Sequence, residues 1–150
     1  MAKAPERRIT RVWRGSGTTV NEACVEWTDI NATKLIDKSE RDRHLPPATE
    51  FHWALDAFKN FIAAPYSLHP NSYRTVVPRE VSINHKDDQM YVTLSGQKPA
   101  EGFDSPVPFK VPQQLVEGRE LAAAVQELIV QANAYIDGAR GAADLLDPAE

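Results

Sequence analysis

The sequence predicts a single α+β domain: an antiparallel sheet of four or five strands, with two main helices, 50–63 and 119–137, covering one face. Three observations carry this. Several short segments between turn signals alternate apolar with polar residues, the period of a half-buried strand. Two longer segments place apolar residues at helical spacing instead. The elements then run β-β-α-β-β-(β)-α, without the repeated βαβ units of a doubly wound parallel sheet.

The first strand is "RRITRVWRG", with Ile9, Arg11 and Trp13 expected on one side and Thr10, Val12 and Arg14 on the other. Gly15-Ser16-Gly17 marks a turn. "VNEACVEWT" follows as a second strand, Ala23, Val25 and Trp27 facing away from Glu22, Cys24 and Glu26. The two make a hairpin, although Gly-Ser-Gly is not a register-setting turn. "DKSERDRHLPP" is dense in charge, ends in a proline pair and reads as surface loop with at most one helical turn. Pro46 and Pro47 stiffen the approach to the first helix, with Thr49 as its N-cap and Glu50 near its positive end. Within it Phe51, Leu55, Phe58 and Ile62 recur at i, i+4, i+7 and i+11, and Ala54 and Phe61 widen the stripe. Pro65 stops it, and 66–70 connects onward.

"YRTVVPREVSI" and "QMYVTLSG" read as two strands around the polar tip "NHKDD". Met90, Val92 and Leu94 form an apolar face opposite Tyr91, Thr93 and Ser95, and Val81 and Ile83 join the same core. Pro78 demands an edge position, a bulge or a break. In the proline-punctuated stretch 96–118, Phe103, Val107, Phe109 and Val111 alternate with polar residues or proline. That is an extended segment with an edge strand near 107–111, whose prolines block pairing on its free side. The last helix, "RELAAAVQELIVQANAYID", carries Leu121, Val125, Leu128, Ala132 and Tyr135 on one stripe with Ile129 and Ile136 beside it. Its alanines favour helix and Gly138 ends it. The domain is expected to span 1–138, with 139–150 a loose C-terminal tail in which Leu145 and Leu146 are apolar enough to dock.

Composition sets the outer bounds. The 150 residues are 42% hydrophobic and 25% charged with a formal charge of −4, values of a soluble globular chain. No apolar run approaches a membrane span and the N-terminus lacks the apolar stretch of a signal peptide, so a cytoplasmic protein without membrane contact is expected. The lone Cys24 excludes an internal disulfide. Charge is uneven: residues 1–14 set Lys3, Arg7, Arg8, Arg11 and Arg14 against Glu6, whereas 76–150 hold 6 basic and 12 acidic residues. Such asymmetry either orients a partner or marks two solvated ends.

The stretch "TEFHWALDAF" raises the question of a site. His52 and Asp56 lie four residues apart, off the apolar stripe. Zinc needs three or four ligands, the pattern is not H-E-x-x-H, and His44, His69 and His85 fall in expected loops or a hairpin tip. The pair reads as a solvated helix flank, with no metal and no cofactor. Trp53 sits off the buried sector, either exposed as part of a binding surface or packed under Pro46-Pro47. Cys24 lacks a neighbouring base. Glu80, His85, Asp87 and Asp88 lack the ligand spacing and glycine of a calcium loop, and no glycine-rich phosphate loop occurs. No catalytic residue is assigned and the chain reads as not an enzyme. Arg7, Arg8, Arg11 and Arg14 with Trp13 form a basic, aromatic segment of the kind that tracks phosphates while stacking a base.

"LSGQKPAEGFDSPVPFKVP", followed by the closing "AYIDGARGAADLLD", resembles the C-terminal half of small accessory proteins encoded by tailed bacteriophages. These pair a sheet with a late helix ending in a short Gly-Lys-Arg-Ala tail. Here that position reads Gly138-Ala139-Arg140-Gly141, without the lysine. The resemblance covers roughly residues 80–146. It implies a phage accessory protein working near DNA replication or recombination, and it assigns no catalytic residue.

The expected function is therefore a non-enzymatic interaction protein that presents Trp53, His52, Leu145 and Leu146 to a host or phage protein partner. The second reading is a weak single-stranded nucleic-acid binder using Arg7, Arg8, Arg11, Trp13 and Arg14 as a mobile basic arm. A closed homodimer through a helix face or the C-terminal tail is expected as well, because Trp13, Trp53, Leu145 and Leu146 are more apolar surface than a small domain hides.

Overall fold

The structure, a computed structural model, describes residues 6–15, 22–30, 35–42, 45–66, 75–99, 102 and 104–141, with the backbone alone at 6, 35, 36 and 42. Six strands form one antiparallel sheet: β1 (Glu6–Arg14), β2 (Ala23–Ile30), β3 (Leu35–Asp42), β4 (Val77–Lys86), β5 (Gln89–Lys98) and β6 (Val107–Leu115), in the order β3-β2-β1-β4-β5-β6. Two three-stranded meanders thus meet where β1 runs beside β4. Helices α1 (Thr49–Asp56) and α2 (Lys59–Ala63) follow the first, and α3 (Arg119–Ile136) follows the second. The α+β class stands; the sheet has six strands, not four or five. No helix of the described residues is long and apolar enough to cross a membrane.

The added strand is β3. The first half of "DKSERDRHLPP" is not loop but sheet edge, residues 35–42 pairing with 23–30 along their whole length. Hydropathy hides it because from Asp37 onward both of its faces are polar. On the helix side Lys38 bridges Asp29 at 2.8 Å and Glu40 reaches Arg140 at 3.2 Å; Asp37 and Arg41 occupy the other side.

A second correction lies in β1. The register shifts between Ile9 and Arg11, so Thr10 is an extra residue, a bulge that reverses the alternation. Ile9 shares the helix side with Val12 and Arg14, while Arg11 and Trp13 stay together on the open face. Val12 lies opposite Val25 on one side and Val81 on the other, and all three are fully buried. The register also slips between Pro78 and Glu80, as a strand proline requires. Opposite Pro78 stands Gly96, where a Cβ would fall 2.8 Å from the Val77 carbonyl oxygen and 3.2 Å from Ile62 Cδ1.

The expected helix 50–63 is two pieces, broken at Ala57 and Phe58, with Ala48 rather than Thr49 at the N-cap. A 3-10 turn over Ala64–Tyr66 takes in Pro65. Phe51, Leu55, Phe58 and Ile62 are all buried, as their spacing indicates, and they meet Leu121, Val125, Leu128, Ala132 and Tyr135 of α3 in one core. The Phe51 and Tyr135 rings lie 5.3 Å apart between α1 and α3, and the Tyr135 hydroxyl donates to the Ala23 carbonyl at 3.2 Å. Beyond α3 the chain stays on the body: Gly141 N–H donates to the Pro46 carbonyl at 2.7 Å, and Arg140 lies over the Tyr135 ring. Leu145 and Leu146 lie outside the described residues, as do Lys3, the Ser16-Gly17 turn, His44, His69 and Phe103.

The β4–β5 connection is a two-residue turn at Asp87 and Asp88, with φ of 53° and 63°. Both residues are left-handed, a conformation that aspartate tolerates and glycine adopts without a Cβ clash. Asp88→Gly is expected to raise stability by about 0.5–1 kcal/mol, read as a higher urea midpoint at unchanged slope. A lowered midpoint would contradict this account of the turn.

Candidate functional site

The question posed by "TEFHWALDAF" is answered from the other end of the chain. Arg14, the last residue of β1, points to the helix side and is 6% exposed. A buried guanidinium needs its charge matched and its N–H groups occupied. Its Nε donates to the Pro78 carbonyl at 2.9 Å, Nη1 to His52 Nδ1 at 3.1 Å and to the His52 carbonyl at 3.4 Å, and Nη2 to Asp56 Oδ1 at 2.5 Å. His52 and Asp56 share one side of α1 because they grip one arginine. Since arginine only donates, His52 Nδ1 accepts and the ring proton sits on Nε2. Burial, and then the Arg14 charge, push the His52 pKa below its ordinary value against the opposing pull of Asp56. The pair is thus an internal clamp, not a solvated flank.

The open face of the sheet is organised by a second arginine. Arg11 stands between Glu26 of β2, at 2.7 Å, and Glu80 of β4, at 2.9 Å, a charge ladder across three strands. Beside it the Arg41 guanidinium lies 5.3 Å from the centre of the Trp13 ring and is itself held by Glu22. Cys24, opposite Trp13, is buried, and burial followed by the Glu26 charge pushes its thiol pKa up. Such a thiol stays protonated at neutral pH and is a poor nucleophile.

The remaining candidates separate. Arg7 pairs with Asp137 at 3.0 Å and lies 5.9 Å from the Trp27 ring. Arg7, Arg11 and Arg14 therefore each face a carboxylate of this chain, and residues 6–14 form a central strand rather than a mobile arm. Arg8 is exposed and lines an open cavity of about 520 Å³ beside the β4–β5 turn, with His85, Lys86, Asp87 and Gln126. His85 is tied into the sheet, its Nε2 donating to the Ile9 carbonyl at 3.0 Å. Trp53 is 65% exposed on the outside of α1, which excludes burial under Pro46-Pro47. His52 and Trp53, adjacent in sequence, point apart: one to Arg14, one to solvent. Among the described residues no three His, Cys, Asp or Glu side chains are arranged to hold a metal ion.

Sequence reasoning missed the role of Arg14. The available signal was its parity with Val12, which puts a cation on the core side of a strand and calls for a carboxylate across from it. In comparisons with known proteins, no family model, no curated protein and no solved structure matches the chain.

The clamp has a pH signature. A histidine with a lowered folded-state pKa binds fewer protons folded than unfolded. Its contribution is complete above the unfolded value of about 6.5 and is lost as pH falls from there through the folded value. Urea unfolding from pH 7.5 to 5 is expected to show a stability loss that His52→Gln, which keeps an acceptor but cannot titrate, lacks. Parallel profiles for the two proteins would contradict the clamp.

Proposed function

We propose that the protein is a non-enzymatic interaction domain that presents the outer face of α1, centred on Trp53, to a host or phage protein partner. The observation that carries this is the 65% exposure of a tryptophan on a helix whose inner side is fixed by Phe51, Leu55 and the Arg14 clamp. A large exposed aromatic carried on a fixed helix is a frequent interface anchor. The likeness of residues 80–146 to tailed-phage accessory proteins supports a phage setting. The nucleic-acid reading draws less support, since three of the four arginines of β1 are matched by acids of the same chain and the chain is acidic overall.

The test is cross-linked capture from phage-infected cells with wild type and Trp53→Ala, followed by titration of the purified partner. Trp53→Ala is expected to leave stability within about 0.5 kcal/mol and to weaken binding by about 2 kcal/mol, roughly thirtyfold, with little dependence on salt. A partner that binds both proteins equally would contradict the reading. So would micromolar oligonucleotide binding that weakens steeply with salt and disappears in Arg8→Glu.

A further inference from the structure

The sheet has two edges, and they are built differently. On β6, residues 108, 110 and 112 share a parity, so their backbone N–H positions point the same way. Pro108 and Pro112 have no N–H, and the third group is occupied. Lys110 N–H donates to the Tyr66 hydroxyl at 2.8 Å, while that hydroxyl donates to the Lys110 carbonyl at 2.5 Å. The Tyr66 ring stacks on Phe109 with centroids 4.7 Å apart, fixing it there. Over residues 108–112 this edge is closed to another strand.

The edge at β3 has none of these devices. It contains no proline, and among the described residues no backbone hydrogen bond reaches its outer side. What it carries is a charge sequence: Asp37, Lys38, Ser39, Glu40, Arg41. We propose that β3 pairs antiparallel with β3 of a second copy about a two-fold axis at Ser39, joining two six-stranded sheets into one.

The sequence is self-complementary in that arrangement. Lys38 faces the second copy's glutamate 40, and Asp37 faces its arginine 41, each pair occurring twice by symmetry. Lys38 and Glu40 share the helix side while Asp37 and Arg41 share the open side, so every pair meets on one face. Sliding the register by one pair sets Lys38 against Lys38 or Glu40 against Glu40, and like charges directly opposite destabilise a ladder. The intramolecular contacts of Lys38 and Arg41 leave donors over, since an ammonium has three and a guanidinium five. Charges on an edge ordinarily repel an arbitrary strand; this order repels arbitrary strands and accepts its own. The assembly also terminates, because both ends of the joined sheet are then proline-blocked β6 edges. The expected dimer thus forms at a sheet edge rather than through a helix face or the C-terminal tail.

The test is sedimentation equilibrium of the full chain over a wide range of concentrations, with circular dichroism to verify folding of each variant. Wild type is expected to dimerise. Lys38→Glu, which places glutamate opposite glutamate twice, is expected to raise the dissociation constant about tenfold or more. The double reversal Lys38→Glu with Glu40→Lys is expected to restore dimerisation, although it too lacks the Lys38–Asp29 bridge. Directly opposed antiparallel residues lie about 4.5–5.5 Å apart at Cα, within disulfide reach. Oxidised Ser39→Cys is therefore expected to give a covalent dimer, whereas Gln113→Cys on β6 and the parent chain, with its buried Cys24, do not. A monomer at all concentrations, or a dimer that survives Lys38→Glu and is not trapped by Ser39→Cys, would overturn the proposal.

Discussion

The fold depends on a short seam. β1 and β4 join the two meanders, yet their ladder runs only from Arg11–Trp13 to Ser82–Glu80. Beyond it the backbone ladder stops, and side chains take over the backbone groups that it leaves. Arg14 Nε donates to the Pro78 carbonyl, Arg79 Nε to the Arg14 carbonyl at 2.9 Å, and His85 Nε2 to the Ile9 carbonyl at the far end. Arg11 and Glu80 bridge the same seam on the open face. Arg14 adds what the others do not, a link upward to α1. Desolvating a guanidinium costs several kcal/mol unless its donors are occupied, and here the Pro78 carbonyl, His52 and Asp56 share that task. One side chain thus ties both halves of the sheet to the first helix.

This organisation sorts the polar residues by job. The charged groups that drew attention in the sequence are mostly engaged with one another: Arg7 with Asp137, Arg11 with Glu26 and Glu80, Arg14 with Asp56, Arg140 with Glu40. The more exposed of these pairs contribute little individually; Arg11 with Glu26 and Glu80 fixes which strand lies beside which, while Arg7, Arg14 and Arg140 tie the sheet to α3, to α1 and to the segment after α3. What remains for recognition is the reverse side of the clamped helix, where Trp53 stands, and the outer edge of β3, which no strand of the described residues pairs.

The apolar architecture was legible in the sequence. The parity of β2 and β5 and the stripes of 50–63 and 119–137 all point to the residues that are buried, because burial leaves a hydropathy period. The missed features leave none. From Asp37 onward β3 is polar on both faces, so neither stands out. The Thr10 bulge reverses the parity of half a strand, which placed Ile9 on the wrong side while keeping Arg11 with Trp13. The break at Ala57 and Phe58 preserves the burial of Phe58 and Ile62 and so is invisible to their spacing. The candidate site was half legible: the His52–Asp56 pairing was evident, but its partner lies 42 residues away from Asp56, on a strand that composition presented as a basic arm.

The central claim is that His52 and Asp56 exist to hold Arg14. A double-mutant cycle measures that directly: Arg14→Met, Asp56→Asn and the double variant, compared with wild type by urea unfolding. Residues acting as one unit are expected to show a coupling energy of about 1–3 kcal/mol, the double variant losing much less than the sum of the single losses. Losses that add to within about 0.5 kcal/mol would contradict the account, leaving Arg14 and Asp56 as neighbours without a shared function.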